Sequence, residues 1–463
     1  YAAMASRDAR FDGRFFIGVK TTGIYCRPIC PARPKKSNVE FYSSALAAER
    51  AGYRPCLRCR PECAPGSPAW MGASALVSRV LKRLASGEKV AVGEEEFAAN
   101  FGVSARHLRR LFKLEVGKSP KQIADEQRLG FARQLVVETE LPFTSVAEAS
   151  GFSSLRRFNS AFKARFKRSP SELRRRKPLD TDGWIELALA YRPPFDFPTT
   201  LEFHRRHAIE GLEDVTNDAY RRLAVIEGSL VYFEVTDRPK KNALALRVRT
   251  TDVGVLFTLA RRVRAMFDLD SDPLAIELAF AKNARLKRLM KRRPGLRVAR
   301  GFDPYETAVA TVLGQLVSVE RAAQLVAQLI RHYGKSVKHP VTKERVHLFP
   351  DVKTLAECDL GNIGTTGARK KALRSLADEI RSGRLRLEAA TDIDELKEKL
   401  LAIPGIGPWT ADYVALRALG DADSFPGTDL ILKRASTGEN AIDLEPIRPW
   451  RSYAAVHLWK EHA

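Results

Sequence analysis

Apolar residues recur at helical spacing in two similar segments of the first half of the chain. The segments "GVSARHLRRLFK" (102–113) and "GFSSLRRFNSAFK" (151–163) each place Gly-x-Ser ahead of an amphipathic pattern. Ser104 and Ser153 are natural N-caps, so each pattern predicts a helix that begins directly after its serine. The residues expected to face inward are Leu108, Leu111 and Phe112 in the first helix, and Leu155, Phe158 and Phe162 in the second.

The opposite faces of these two helices are polar and mostly basic. They carry Arg106, Arg109, Arg110 and Lys113 in the first helix, and Arg156, Asn159, Ser160 and Lys163 in the second. A helix that packs with one face and offers hydrogen-bond donors from the other has the character of a DNA recognition helix. A solvated basic face is the alternative for either helix alone. The duplication favours DNA contact and predicts an all-α double helix-turn-helix domain over residues 72–177.

The hydrophobic pattern changes in the second half of the chain, after a charged segment at 174–183 that is typical of a linker. The stretches "SLVYFEVTD" (229–237) and "ALALRVRT" (243–250) alternate apolar and polar residues, which predicts β-strands. Beyond them the pattern is mostly helical. The second half is therefore predicted to contain an α+β domain over 184–300 and an all-α domain over 301–463.

A glycine-rich turn interrupts the helical pattern in "LLAIPGIGPWTADYVAL" (400–416). Gly405 and Gly407 predict a tight turn between two helices, the second of which begins at Pro408. The free amides at such an N-terminus bind a DNA phosphate without reading base sequence. This is the helix-hairpin-helix pattern, and the alternative is a plain turn joining two core helices.

The overall charge agrees with a nucleic-acid partner. The chain has 78 Lys and Arg against 55 Asp and Glu, a net charge of +23 and a pI near 9.9. Such a balance points to a polyanionic ligand, of which nucleic acid is the leading candidate. We find no run of eighteen apolar residues and no signal-peptide pattern at the N-terminus, so we expect a cytoplasmic protein without a membrane partner.

Four cysteines lie in two close pairs, Cys26-x3-Cys30 and Cys56-x2-Cys59. Two close pairs on separate turns let four sulfurs converge tetrahedrally on one Zn²⁺, and we expect no organic cofactor. Coincidental buried or redox-active thiols are the alternative. The pairs predict a small zinc domain over residues 1–63, which makes the whole chain a multidomain α+β protein.

The segment "FFIGVKTTGIYCRPICPARPKKSNVEFYSSALAAERAGYRPCLRCRPE" (15–62) resembles the N-terminal zinc domain of the Ada adaptive-response family. That resemblance implies that Cys26 is both a zinc ligand and the acceptor of a methyl group from methylated DNA phosphates. The paired helices resemble the AraC-type module that follows this domain in Ada-like activators. The resemblance thus implies methylated double-stranded DNA, and RNA polymerase, as partners.

The second half resembles the AlkA family of 3-methyladenine DNA glycosylases, within the helix-hairpin-helix superfamily. The similarity runs through "YRPPFDFPTTLEF" (191–203), "VLGQLVSVERAA" (312–323), the hairpin, "SFPGTDLILK" (424–433) and "RPWRSYA" (448–454). It implies that Asp429 is the catalytic carboxylate and that Leu316 fills the gap left by a flipped nucleotide. The aromatic pocket residues that it implies are Phe203, Trp409, Tyr413 and Trp450.

These resemblances together imply a fused alkylation-repair protein of bacterial type, acting as a monomer at the nucleoid. Bifunctional glycosylases place a lysine directly after the hairpin, where this chain has Trp409, so we expect hydrolysis without strand cleavage. The alternative is a methylation-responsive transcriptional regulator whose glycosylase half only binds DNA. The presence of Asp429 argues against that alternative, whereas a short segment between Asp429 and Trp450 argues mildly for it.

Overall fold

The first domain is built on a small mixed sheet of four strands. The computed structural model of the protein describes residues 1–43, 45–59, 61, 75–86, 93–174, 183–436 and 442–462. The elements of this domain are β1 (Phe16–Val19), β2 (Ile24–Cys26), β3 (Val39–Tyr42), β4 (Arg54–Pro55), α1 (Ala2–Ala5) and α2 (Ala45–Arg50). The strand order is β3-β1-β2-β4, and only the β2–β4 pair is parallel.

The second region is all-helical. Its helices are α3 (Ala75–Ala85), α4 (Glu94–Ala99), α5 (Ala105–Glu115), α6 (Pro120–Glu138), α7 (Phe143–Ala149), α8 (Leu155–Phe166) and α9 (Pro170–Leu173). Both predicted amphipathic helices are present, as α5 and α8. The duplication extends to the segments that follow them, because Ser119 and Ser169 each form a capping box at the start of α6 and α9, with proline in the first turn.

The start of α8 differs from the prediction in two respects. The cap is Ser154, not Ser153, because the Ser154 hydroxyl accepts a hydrogen bond from the Arg157 backbone N–H. Leu155 was expected to face inward but is 37% exposed. It is the first residue of the helix and lies beyond the edge of the core, which begins at the fully buried Phe158. The first helix is capped by Ser104 as predicted.

The third region is built on a five-stranded antiparallel sheet of order β5-β9-β8-β7-β6. Its strands are β5 (Ile185–Ala190), β6 (Glu213–Val215), β7 (Ala219–Ile226), β8 (Ser229–Arg238) and β9 (Ala243–Thr250). The two strands predicted from period-two patterning are β8 and β9, which pair from Val231 opposite Thr250 to Arg238 opposite Ala243. The helices of this region are α10 (Phe197–Arg206), α11 (Leu256–Met266), α12 (Pro273–Phe280) and α13 (Ala284–Arg292).

The remaining residues are mostly helical. The helices are α14 (Pro304–Leu313), α15 (Val319–Tyr333), α16 (Val352–Glu357), α17 (Gly367–Arg381), α18 (Ile393–Leu401), α19 (Pro408–Arg417), α20 (Leu430–Ser436) and α21 (Arg451–Glu461). The all-α prediction missed a short hairpin of β10 (Ser336–Lys338) and β11 (Arg345–His347). Val337 and Val346 of this hairpin are partly buried against the helical core, which holds the hairpin in place.

Hydrophobic cores cross the domain boundaries that the sequence predicts. Phe131 of α6 packs on Phe257 of α11 with ring centroids 5.1 Å apart, and one continuous core joins α6, α7 and α8 to the five-stranded sheet. At the edge strand β5, the Gln134 amide donates to the Ala188 carbonyl and the Glu138 carboxylate accepts from the Ala188 N–H, both at 2.9 Å. The front half thereby caps an otherwise open sheet edge.

Most of the predicted linker at 174–183 lies outside the described residues. Within the ranges that the structure describes, no helix is both long and apolar enough to cross a membrane.

Candidate functional site

The four predicted zinc ligands converge at one end of the small sheet. Parallel pairing of β2 and β4 sets Cys26 beside Cys56, and the Cys56 N–H donates to the Tyr25 carbonyl at 2.9 Å. A tight turn brings Cys30 back, with its N–H donating to the Arg27 carbonyl. The sulfur atoms of Cys26, Cys30, Cys56 and Cys59 all lie within 4.8 Å of one another and all four residues are buried. Four thiolates at this spacing suit one tetrahedral Zn²⁺.

The groups around the cysteines hold the site and tie it to the rest of the chain. The Arg27 N–H donates to the Cys59 sulfur at 3.3 Å, and the Arg27 side chain forms a buried pair with Asp12. Arg133 of α6 is fully buried and donates to the carbonyls of Cys56 and Leu57, at 3.3 and 2.8 Å. The segment that carries Cys56 is therefore hydrogen-bonded directly to α6, the helix that connects the two helix-turn-helix units.

The predicted base-facing residues of both helix-turn-helix units are exposed. They are Arg106, Arg109 and Arg110 on α5, and Arg156, Asn159 and Lys163 on α8. Arg109 forms an ion pair with Glu94 at 3.5 Å, but both side chains are about half exposed, so this pair costs little to break. Gly102 and Gly151 precede the two helices with φ of +70° and +74°, a conformation that favours glycine in the turn of each unit.

The glycine-rich turn joins α18 to α19 as predicted. Gly405 has φ of +93°, and its carbonyl accepts a hydrogen bond of 2.9 Å from the Gln315 side-chain amide. Gly407 is the N-cap of α19 and supplies no side-chain cap, so the first amides of that helix keep their hydrogen-bonding capacity. Apart from its own chain neighbours, no described residue comes within 4 Å of the position that a side chain at Gly407 would occupy, which leaves room for a backbone phosphate.

Leu316 lies in the turn between α14 and α15, near this hairpin. Its side chain is 100% exposed and its φ is +55°. A left-handed conformation costs a leucine roughly 1–2 kcal/mol, and full exposure removes any packing that would offset the cost. The Arg369 side chain donates a hydrogen bond to the carbonyl of Gln315, the residue before Leu316, and so holds the turn in place. An apolar side chain held outward under strain fits the predicted wedge.

Asp429 precedes α20 and its carboxylate accepts four hydrogen bonds. One oxygen accepts from the backbone N–H groups of Ile431 and Leu432, at 3.0 and 3.3 Å, and from the indole N–H of Trp459 at 3.1 Å. The other oxygen accepts from the indole N–H of Trp409 at 3.2 Å. Both backbone donors belong to the first turn of a helix, so the carboxylate is held from two directions while remaining half-buried.

Partly exposed aromatic rings surround this carboxylate. Trp409 and Tyr413 are stacked one turn apart on α19, with centroids 4.8 Å apart and an interplanar angle of 18°. The Trp459 ring is 6.1 Å from that of Tyr413. The guanidinium of Arg417, which is buried, lies 4.3 Å from the Phe203 ring and 5.3 Å from the Trp459 ring. The cluster therefore already holds one cation against its aromatic faces.

Three of the four predicted pocket aromatics, Phe203, Trp409 and Tyr413, belong to this cluster, and Trp450 does not. Trp450 is only 4% exposed and packs edge-on against Tyr453, inside the core against which Trp459 also packs. Trp459, which the sequence analysis missed, provides the indole beside Asp429. Residues 452–458 of α21 are all buried, so Trp459 is the first residue after them that can reach a solvent-facing site. In the sequence, the position of Trp459 directly after the mostly apolar run "SYAAVHL" was the signal that could have identified it.

Comparisons with known proteins agree with this organisation. The family models for the metal binding domain of Ada, a helix-turn-helix domain and the AlkA N-terminal domain match residues 1–62, 97–176 and 186–303. A probable bifunctional transcriptional activator/DNA repair enzyme AlkA of Mycobacterium tuberculosis is 38% identical over 99% of this chain and 95% of its own.

Separate relatives match the two halves. DNA-3-methyladenine glycosylase 2 of Escherichia coli is 32% identical over 58% of this chain and 95% of its own length. The bifunctional transcriptional activator/DNA repair enzyme Ada of the same organism is 35% identical over 32% of this chain and 41% of its own. The chain therefore belongs to the family of bifunctional transcriptional activators and DNA repair enzymes in which an Ada-type front half is fused to an AlkA-type rear half.

Proposed function

We propose that the rear half is a monofunctional DNA glycosylase that hydrolyses the N-glycosidic bond of alkylated purines such as 3-methyladenine. The observation that carries this proposal is the Asp429 carboxylate, held by two indole N–H groups at the rim of a half-exposed aromatic cluster. Cleavage of the glycosidic bond builds positive charge on the sugar, and a fixed carboxylate stabilises that charge while water attacks.

The aromatic cluster supplies selectivity for damaged bases. Alkylation of a ring nitrogen makes a purine cationic and a good leaving group, so little general-acid assistance is needed. Faces of Phe203, Trp409, Tyr413 and Trp459 attract such a cation by roughly 0.5–2 kcal/mol per favourable contact. Trp409 occupies the position after the hairpin where a lyase would need lysine, so the proposed reaction forms no Schiff base and cleaves no strand.

Access to the base requires the nucleotide to leave the helix. Leu316 is the proposed wedge that fills the vacated space, and the amides at the start of α19, beyond Gly405 and Gly407, are the proposed phosphate anchor. The anchor binds backbone and so leaves the choice of base to the aromatic cluster.

For the front half we propose that Cys26 accepts a methyl group from a methylphosphotriester. The Cys26 thiolate attacks the methyl carbon, the carbon–oxygen bond breaks, and the phosphodiester anion leaves. Four thiolates on Zn²⁺ carry a charge of minus two, and methylation of one sulfur reduces it to minus one. Repulsion of DNA phosphates then weakens, so methylation strengthens DNA binding by α5 and α8 and favours transcriptional activation with RNA polymerase. We further propose that the protein acts as a monomer on chromosomal DNA.

The first experiment compares base release by the intact chain and by Asp429→Asn on methylated duplex DNA. We expect 3-methyladenine release by the wild type, a loss of at least about 100-fold in the variant, and no enzyme-made strand breaks. Release of no base by either protein from DNA that both bind would instead support the regulator whose glycosylase half only binds DNA.

The methyl transfer has its own test. Incubation with methylphosphotriester DNA should add one methyl group per chain, located at Cys26 by peptide mass spectrometry, in protein that retains one zinc ion. Zinc-loaded protein that gains no methyl group would contradict the transfer and leave the four cysteines a structural site.

A further inference from the structure

The helix α13 carries a strongly basic surface that the proposed function has not used. Its apolar residues Leu286 and Leu289 are buried, and its outward face consists of exposed cations. We name this the α13 cationic face and define it as Lys287, Arg288, Lys291 and Arg292. It spans more than one turn of a regular helix, so its four charges form a compact group rather than a scattered set.

Nothing in the surrounding sequence neutralises this face. Residues 278–302 contain no Asp or Glu at all. Arg285, on the flank of the helix, is paired with Glu461 of α21 at 2.7 Å. Within the described ranges, no ion pair involves any of the four residues of the α13 cationic face. A helix surface of this kind repels itself and gains most by binding a polyanion.

The packing of α13 connects this helix to elements that carry the aromatic cluster. Leu286 and Leu289 share a core with α21, and Glu461, which anchors Arg285, lies two residues after Trp459. The loop that follows α13 is also fixed to the start of α10, because the Asp196 N–H donates to the Gly295 carbonyl at 2.9 Å. The α13 helix therefore packs against α21, which carries Trp459, and the loop after α13 is hydrogen-bonded to the start of α10, which carries Phe203.

Further charged residues lie on the elements that neighbour α13. Lys460 lowers the pKa of Glu202 through a hydrogen bond, and Arg206 and Arg293 lie close enough to lower it further. The pKa of Glu320, in the first turn of α15, is lowered mainly by hydrogen bonds from its own backbone N–H and from Ser318, and Arg206 adds to that shift. Charged groups after α13, at the end of α10 and at the start of α15 are thus close enough to interact electrostatically.

We propose that the α13 cationic face binds backbone phosphates of the duplex arm flanking the flipped nucleotide. The proposal rests on the proposed function, since it extends the DNA-binding surface of that same site. Long, flexible Lys and Arg side chains suit phosphate contacts, which add affinity without sequence preference. The α13 cationic face belongs to a different helix from the hairpin, so the proposed contact acts in addition to the helix-hairpin-helix anchor.

The test is the salt dependence of DNA binding by the full chain. The variant is Lys287→Gln, Arg288→Gln, Lys291→Gln and Arg292→Gln together. The matched control replaces Lys240, Lys241, Lys335 and Lys338, also exposed, by Gln. Fluorescence anisotropy with a duplex containing an abasic-site analogue gives the slope of log K against log salt. Both variants lose four charges, so a difference between their slopes reports local binding of phosphates and not net charge.

We expect the slope of the α13 variant to fall in magnitude by about 0.9 for each phosphate that the protein no longer neutralises, or roughly 2–4 in total, with little change in the control. Shortening one of the two duplex arms should remove the difference between wild type and variant, whereas shortening the other should not. Equal slopes for both variants, at unchanged thermal unfolding midpoints, would overturn the proposal. Base release on the same duplexes is scored separately, because the anisotropy measurement requires no catalysis.

Discussion

Trp459→Phe is the substitution that tests the geometry around Asp429 most directly. Phenylalanine keeps most of the aromatic area beside Tyr413 but removes the indole N–H that donates to the carboxylate at 3.1 Å. The Asp429 oxygen concerned then retains its two backbone donors, so the loop and the start of α20 should remain in place.

The expected size of the effect follows from the kind of hydrogen bond that the substitution removes. A hydrogen bond to a charged group contributes about 1.5–3 kcal/mol, so base release in single-turnover conditions should slow by roughly 10- to 150-fold. Trp409→Phe removes the donor to the other oxygen and should act similarly. Because both donors position one carboxylate, the double variant should lose less than the product of the two single effects.

Trp450→Phe is the matched control, since Trp450 is almost fully buried and packs edge-on against Tyr453. It should lower the free energy of unfolding while leaving the rate of base release by folded protein within about twofold. The measurements are single-turnover release of 3-methyladenine and chemical denaturation of all three single variants. A Trp459→Phe rate equal to wild type, together with a large loss in Trp450→Phe, would refute this account of the site.

Three further substitutions test other parts of the structure. Leu316→Gly should leave the free energy of unfolding unchanged or raise it by up to about 1 kcal/mol, because it relieves the left-handed backbone. It should also slow base release from paired lesions, and a clear loss of stability in denaturant would contradict the wedge interpretation. Burial lowers the pKa of His457 to about 4, so its contribution to stability is complete above about pH 6.5 and is lost as the pH falls towards 4. His457→Gln should therefore shrink the stability difference between pH 7.5 and pH 5 by about 2 kcal/mol in denaturant titrations, and an unchanged difference would count against this. Glu49→Gln should destabilise the protein by about 2–3 kcal/mol in the same assay, since the carboxylate accepts from Lys118 at 2.9 Å and Arg165 at 2.5 Å, and a neutral result would show that these pairs add nothing.

The features that the sequence predicted are those fixed by local spacing. The zinc ligands come in two close pairs, and a tight turn with positive φ needs glycine at position 405, so both leave a signal within a few residues. The same holds for the inward faces of α5 and α8, apart from Leu155 at a helix end. A helix boundary depends on which of two adjacent serines caps it, and spacing alone does not separate Ser153 from Ser154.

The features that the sequence could not predict are contacts between distant segments. Trp450 directly precedes α21 and Trp459 lies near its end, nine residues later. Only the packing of α21 decides that Trp459 hydrogen-bonds to Asp429. The contact between α6 and the edge strand β5 depends on hydrogen bonds from two polar side chains, Gln134 and Glu138. An amphipathic pattern would place such side chains in solvent. Both contacts arise from tertiary packing, which helical and strand periodicity do not encode.

The continuous core between α6 and the five-stranded sheet also constrains how the protein folds during synthesis. Phe131 leaves the ribosome more than a hundred residues before its partner Phe257. At a synthesis rate of about 5–20 residues per second, the apolar side of α6 remains uncovered for roughly ten seconds before Phe257 has been made. The apolar side of the second helix-turn-helix unit therefore stays open to chaperones and to aggregation until the sheet has been made.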